Sequence, residues 1–354
     1  MKKSDKNWGG DWTTQKLDAF ENYVKAYLTI MHSTRKKCNG WPKNIIYFDG
    51  FAGSGKKEES NNKNSQQKLL ESLEITSKDE NLYQGSCERV LKLDKKFDKY
   101  IFVDINKDAL QDLKIHLKKQ SILLNNCEFK DGDVNEILTK YFTEDFKDKK
   151  SVALVLLDPF GMQVEWQSIE KLKDKRIDLW ILVPSGVIIN RLLDKKGELT
   201  HIKKLEDYLG MSEEEIKNSF YEKETQQTLF GDEEVVKKIP NAIHKIANLY
   251  VKKLTGIFKH ITQEPLELKN SKNVTIFHFI FASNNESAKK ISKDESLTKE
   301  QREAQIAKLK SEQFTAEELK ILEIGKSNFG FHYLGSSKIM AQIGVAFAEA
   351  LLEK

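Results

Sequence analysis

The sequence predicts an α/β fold: a doubly wound, mostly parallel sheet with an antiparallel edge pair and helical additions. Three observations predict it. Short apolar runs alternate with helical patterns along most of the chain. One run, Val152–Asp158, is apolar at every position before its final aspartate, as a central parallel strand buried on both faces must be. Four successive runs end in acidic residues, and the first continues into closely spaced glycines, Asp49-Gly50-Phe51-Ala52-Gly53-Ser54-Gly55. Glycines there let the backbone turn sharply and approach a nucleotide-like ligand.

The elements follow in order. Thr13 to His32 reads as an amphipathic helix, because Leu17, Phe20, Val24, Tyr27, Leu28 and Met31 recur at helical spacing and Thr13 or Thr14 can cap it. The first strand is Ile45–Asp49. Lys56 to Glu80 is polar and reads as a loop or lid, with a short helix at Gln67–Leu73; the helix that normally follows the glycines is delayed to Gly85–Leu91. The second strand is Lys99–Asp104, followed by a helix over Lys107–Lys118. The third is Cys127–Lys130, leading into Asp131-Gly132-Asp133. After the fourth, a helix near Trp166–Lys173 precedes a fifth strand, Ile177–Val183, which ends at Pro184-Ser185-Gly186. Residues 187–255 read as a polar helical insertion. Ile257–Ile261 and Asn273–Ala282 predict the antiparallel edge pair. Residues 286–325 read as charged helices with capping boxes at Thr298/Gln301 and Thr315/Glu318, and a last helix spans Ser337–Leu352. The expected organisation is an N-terminal helical segment (1–40), a core (41–285) and a C-terminal helical extension (286–354).

Composition narrows the class. The chain has 354 residues, 39% hydrophobic and 32% charged, which describes a globular protein with a heavily solvated surface. No apolar run approaches the roughly 18–20 residues of a bilayer span. The lysine-rich start has no apolar segment behind it, so no secretory signal is expected. Cys38, Cys87 and Cys127 lack metal-ligand spacing and suit a reduced, cytoplasmic setting. The net charge of +4 is small for this length and carried mostly by lysine, so it neither supports nor excludes nucleic acid. The seven histidines look scattered, with no metal pair, and no serine or cysteine sits in a nucleophile arrangement.

The chemistry lies in the strand ends. In a parallel sheet Asp49, Asp104, the Asp131/Asp133 pair and Asp158 line one edge, where doubly wound folds bind ligands. Each aspartate could instead cap the helix that follows. Aligned carboxylates repel a phosphate. They suit a ligand with hydroxyls, amines or a positive centre, and S-adenosylmethionine has a ribose diol, an ammonium, an adenine amine and a sulfonium.

With these residues in view, the chain resembles the class I methyltransferases, whose sheet is Rossmann-like. Asp49–Gly55 looks like the DxFxGxG motif that holds the methionine moiety. Asp104 matches the acidic residue on the ribose hydroxyls, and Asp133, or alternatively Asp131, the one near the adenine amine. Asp158-Pro159-Phe160 resembles the fourth motif of amino-methyltransferases, which orients an exocyclic amine and stacks an aromatic on the base. It has one proline where that motif usually has two, and Gly161 follows.

A closer resemblance covers residues 13 to 285. Phe51–Gly55, Lys99–Asp104, Leu157-Asp158-Pro159-Phe160-Gly161-Met162-Gln163-Val164, Asp178-Leu179-Trp180-Ile181-Leu182, Asn190-Arg191-Leu192 and Thr275–Ser283 are similar to the three-Cys-motif partner protein family. The resemblance implies a three-cysteine, radical-enzyme-like partner and methyl transfer as the activity. Gly50 and the Lys56–Glu80 insert depart from the pattern.

The expectation is therefore a cytoplasmic S-adenosylmethionine-dependent methyltransferase acting on an amino nitrogen of an RNA or DNA base by direct displacement, without a metal. Asn190 and Arg191 are candidates for a substrate phosphate or carboxylate, or Arg191 for an ion pair with Glu165. Met162 and Trp166 read as packing. One rival is a cofactor- or nucleotide-binding partner or sensor subunit of a bacterial defence or mobile-element system, without methyl transfer. Another is a nucleotide hydrolase, since Gly53-Ser54-Gly55-Lys56-Lys57 faintly resembles a phosphate loop, though it lacks that motif's spacing and Lys-Ser/Thr pair.

Overall fold

Trp12–Lys37 forms helix α1. Its buried face is the predicted stripe from Leu17 to Met31, joined by one charged residue, Lys16. The computed structural model describes residues 12–54, 85–146, 150–228, 231–262, 264–270 and 272–285. The expected lid at Lys56–Glu80 and the expected helices beyond residue 285 lie outside them. From α1 the chain runs through β1 (Asn44–Asp49), α2 (Ser86–Lys92), β2 (Lys99–Asp104), α3 (Lys107–Lys119), β3 (Cys127–Asp131), α4 (Val134–Lys140), β4 (Ser151–Leu157), α5 (Trp166–Glu170) and β5 (Ile177–Val183). Then come α6 (Asn190–Leu192), α7 (Ile202–Leu209), α8 (Glu213–Phe220), β6 (Tyr221–Thr228), β7 (Gly231–Lys238), α9 (Ala242–Leu254), β8 (His260–Ile261), β9 (Leu266–Lys269) and β10 (Thr275–Ser283).

The main sheet has the order β3-β2-β1-β4-β5-β10-β8, with β9 also paired to β10. The first five strands are parallel neighbours, and β10 is antiparallel to β5. This is a Rossmann-like doubly wound α/β sheet, as the alternation predicted. Along β1, Ile46 and Phe48 enter one core layer, while Ile45 and Tyr47 enter the other with α1, α2 and α3. All seven residues of β4 are buried, and each large apolar side chain there contributes roughly 1.5–3 kcal/mol. Among the described residues no helix is long and apolar enough to cross a membrane.

Two stretches differ from expectation. The insertion predicted as helical contains the hairpin β6–β7. Its strands are rich in Glu and Lys, and Lys223–Glu234 and Lys237–Glu224 pair across it at 3.0 and 3.3 Å. A ribbon so polar lacks the period-2 apolar signal of a half-buried strand. The sheet edge is also not a simple pair: β10 carries both β8 and β9, and the short β9 had no run of its own long enough to read.

Candidate functional site

β1 lies between β2 and β4, so the chain winds away from it in opposite directions, and the carboxyl ends of β1 and β4 form the switch point at which doubly wound sheets place a ligand crevice. Asp49 ends β1 fully buried. Its Oδ2 accepts from Tyr47 OH (2.9 Å) and Ser86 Oγ (2.7 Å), and its Oδ1 from the Phe51 N–H (3.2 Å). Burial pushes this carboxyl up; Ser86, Tyr47 and Phe51 pull it back, and the Asp158 charge adds to the rise. Asp49 is thus the internal anchor of the glycine loop and of the start of α2.

The loop is lashed to β2 by two bonds. Ala52 N–H donates to the Val103 carbonyl (2.9 Å), and Gly53 N–H donates to Asp104 Oδ2 (2.8 Å). Asp104 Oδ1 takes the Asn106 N–H (2.8 Å). Gly53 has φ +61°, where L side chains are strained, and a Cβ on it would meet no protein atom within 4 Å among the described residues. The backbone conformation there favours glycine, and no described residue fills the space beside it. Ser54 is buried, and Gly55 lies outside the described residues. Beside Asp104, Ile105 is 77% exposed, an apolar side chain at the rim of the edge that the sequence reading did not single out.

Asp133 caps α4: its Oδ1 accepts from the N–H groups of Asn135 (2.7 Å) and Glu136 (3.4 Å). The capping alternative therefore describes what this side chain does within the protein. Asp131 is exposed and lies opposite Asp104 in the β2–β3 register.

Asp158 follows β4 and forms an ion pair with Lys16, Nζ to Oδ2 2.5 Å, the two side chains being 19% and 6% exposed. Sequence reading missed Lys16. It lies four residues before Phe20, so it occupies a position of the apolar stripe, and a charge there is the signal that could have found it. Pro159 is buried, and Phe160 is 59% exposed. Asn135 braces the loop after β4, donating to the Gln163 carbonyl and accepting from the Glu165 N–H, both at 2.8 Å. Gln163 Oε1 in turn takes the Gly161 N–H (2.7 Å). Trp166 is buried against Tyr250 and donates to Glu170, and Met162 packs on the core, so both are packing residues.

Asn190 and Arg191 stand in α6, beyond β5 and a π-helical turn, Ser185–Ile189. The Asn190 carbonyl accepts from Lys238 Nζ, and Arg191 is exposed. The histidines are not all apart. His244 and His278, which look scattered in the sequence, lie with ring centroids 5.9 Å apart. Distance along the chain hid their proximity. Burial pushes the His278 imidazole down to about 4.

No family model matches the chain, and no curated protein sequence matches it. Solved structures overlap it loosely. A Listeria monocytogenes protein described as an S-adenosylmethionine dependent methyltransferase is 10% identical, covering 68% of this chain and 91% of its own, with a TM-score of 0.31. An rRNA methylase from Streptococcus thermophilus is 12% identical, covering 62% and 95%, with a TM-score of 0.24. Precorrin 8w decarboxylase from Methanobacterium thermoautotrophicum is 14% identical, covering 58% and 85%, with a TM-score of 0.23. The fold assignment rests on this chain's own strand order.

Proposed function

We propose that this protein is an S-adenosylmethionine-dependent methyltransferase acting on an amino nitrogen of a nucleic-acid base, RNA or DNA. The Gly53–Asp104 hydrogen bond at the carboxyl ends of β1 and β2, with no described residue filling the space beside Gly53, carries this reading. A carboxylate has about four acceptor positions, so Asp104, holding one N–H on each oxygen, keeps acceptors for the ribose hydroxyls. Phe51, Ala52, Gly53, Ser54 and Gly55 would line the methionine end, with Asp49 holding their loop. Asp133 caps through Oδ1, which leaves Oδ2 for the adenine amine. The cofactor, when bound, supplies an electrophilic methyl group.

The protein's own part is positioning. Asp158 and the Pro159 carbonyl would accept from the acceptor amine and aim its lone pair, and the exposed Phe160 would stack on the base. Lys16 holds Oδ2 of Asp158, leaving Oδ1 for the amine. Asn190 and Arg191 would meet a substrate phosphate. The test is transfer of labelled methyl groups from S-adenosylmethionine to total RNA and DNA by the full chain, with Asp158→Ala beside it. Incorporation that the variant loses supports the reading.

The Lys16–Asp158 pair also favours a second reading. A carboxylate already neutralised by a lysine needs no acceptor amine, and the protein could bind the cofactor as a partner or sensor subunit without methyl transfer, beside a three-Cys-motif radical-enzyme-like protein. Saturable cofactor binding with no methyl group passed to either nucleic acid would select it.

A further inference from the structure

Three elements bring a second set of side chains together on the same edge of the sheet, at β10 rather than β1. His244 stands in the first turn of α9, Glu267 on β9 and His278 on β10. Glu267 and His278 are direct partners in the antiparallel β9–β10 pair, so their side chains share a face. Helix α9 packs against β10 and delivers His244. One ligand-type atom from each of the three lies within 4.8 Å of the other two.

We propose that His244, Glu267 and His278 form a binding site for a first-row divalent cation of the zinc type. The spacing supports it. His244 Nδ1 and Glu267 Oε1 are 3.4 Å apart. Two ligand atoms on a tetrahedral ion with bonds of about 2.0–2.2 Å are about 3.4 Å apart. A charge-assisted hydrogen bond would draw them to about 2.7–2.9 Å. Two imidazoles and a carboxylate leave a fourth position for water or substrate, as in open zinc centres. The burial gradient fits an open face: His278 is buried, Glu267 half-buried and His244 exposed.

The surroundings aim these ligands. Ser185 Oγ meets His278 Nδ1 at 2.6 Å, which leaves Nε2 for the ion. Thr275 Oγ1 donates to Glu267 Oε2 (3.1 Å), and Lys269 Nζ sits 3.3 Å from that same oxygen, so Oε1 is the one left toward His244. Anchoring of a ligand's second atom is how metal sites fix orientation and tautomer. Gly186 makes the Ser185 contact possible: a Cβ there would lie 2.0 Å from the Thr275 carbonyl oxygen, so only glycine lets this turn come down on β10. The site stands on its own, whether or not the crevice transfers methyl groups.

The test uses the full chain, stripped of metal by dialysis against a chelator and titrated with Zn2+ by calorimetry and with Co2+ by visible spectroscopy. The expected result is one ion per chain with cobalt d–d bands of a four-coordinate site. His244→Ala, at an exposed position that leaves folding intact, and Glu267→Gln should each weaken binding at least about tenfold. Ser185→Ala should weaken it about 10–100-fold through His278. Zn2+ should raise the Tm of the wild type and not of His244→Ala. No ion bound by the wild type, or unchanged affinity in both His244→Ala and Glu267→Gln, would overturn the proposal and leave the three side chains as an ion-pair cluster.

Discussion

Lys16, near the start of the first helix, is ion-paired at 2.5 Å to Asp158 at the end of the fourth strand. Seven residues later Tyr23 OH bonds to Asp178 at the start of β5, also at 2.5 Å. Helix α1 therefore runs from the carboxyl edge of the sheet to its amino edge and is fastened at both. Removing Lys16 strands a mostly buried carboxylate. Lys16→Met should cost about 2 kcal/mol by denaturant unfolding, below the roughly 3–5 kcal/mol of a fully buried pair because Asp158 is partly open to water. If the pair acts as a unit in methyl transfer, Lys16→Met and Asp158→Ala will each lose most of kcat. The double variant will lose little more, and cofactor affinity will hold in all three. Additive losses would separate the two residues.

Asp104 holds the Gly53 N–H and also faces the proposed ribose position. Asp104→Ala should weaken S-adenosylmethionine binding by about 1.5–3 kcal/mol, read by calorimetry. Unchanged affinity in a folded variant removes Asp104 from the binding site.

At Gly53 two variants separate strain from crowding. The backbone is left-handed there, which costs most L residues about 1–2 kcal/mol, whereas asparagine tolerates it. Gly53→Val should lower Tm by several degrees, and Gly53→Asn by much less. Both should lose cofactor binding if a ligand occupies the open side. Full binding by Gly53→Asn would reduce this glycine to a turn residue.

Asp178 sets a pH dependence. Burial raises its carboxyl to about 6, against the opposing bonds from Ser283, Tyr23 and Asn285. The folded state then keeps a proton between about pH 4 and 6 that the unfolded chain has released. Stability from this residue is fully present below the unfolded value and falls as pH rises through that window, by up to about 3 kcal/mol. Asp178→Asn should flatten that part of the profile in urea titrations across this range. An identical slope in the variant would show that other groups set it.

How much could be read beforehand follows from where each signal is local. β4 is buried at every position and β5 at all but Trp180, so their apolar runs, broken in β5 only by Asp178, matched the observed strands to within a residue at each end. The Asp49–Gly53 loop and the acidic strand ends were legible for the same reason: they are contiguous. The hairpin was not, because its strands are too polar and charged to give an alternating apolar pattern. Lys16–Asp158 and His244–Glu267–His278 join residues far apart in the chain, and only the winding of the sheet brings them together. Asp133 was legible both as an acidic strand end and as a cap of the helix that follows, because both signals are contiguous in the chain.

S-adenosylmethionine is proposed to bind at the carboxyl ends of β1, β2 and β4. Calorimetric titration of the full chain with S-adenosylmethionine and, separately, with ATP tests this proposal most directly. The expected result is saturable binding of one S-adenosylmethionine per chain, weakened by Asp104→Ala, and no comparable binding of ATP. Absence of S-adenosylmethionine binding, or tighter binding of ATP at the same loop, would contradict it.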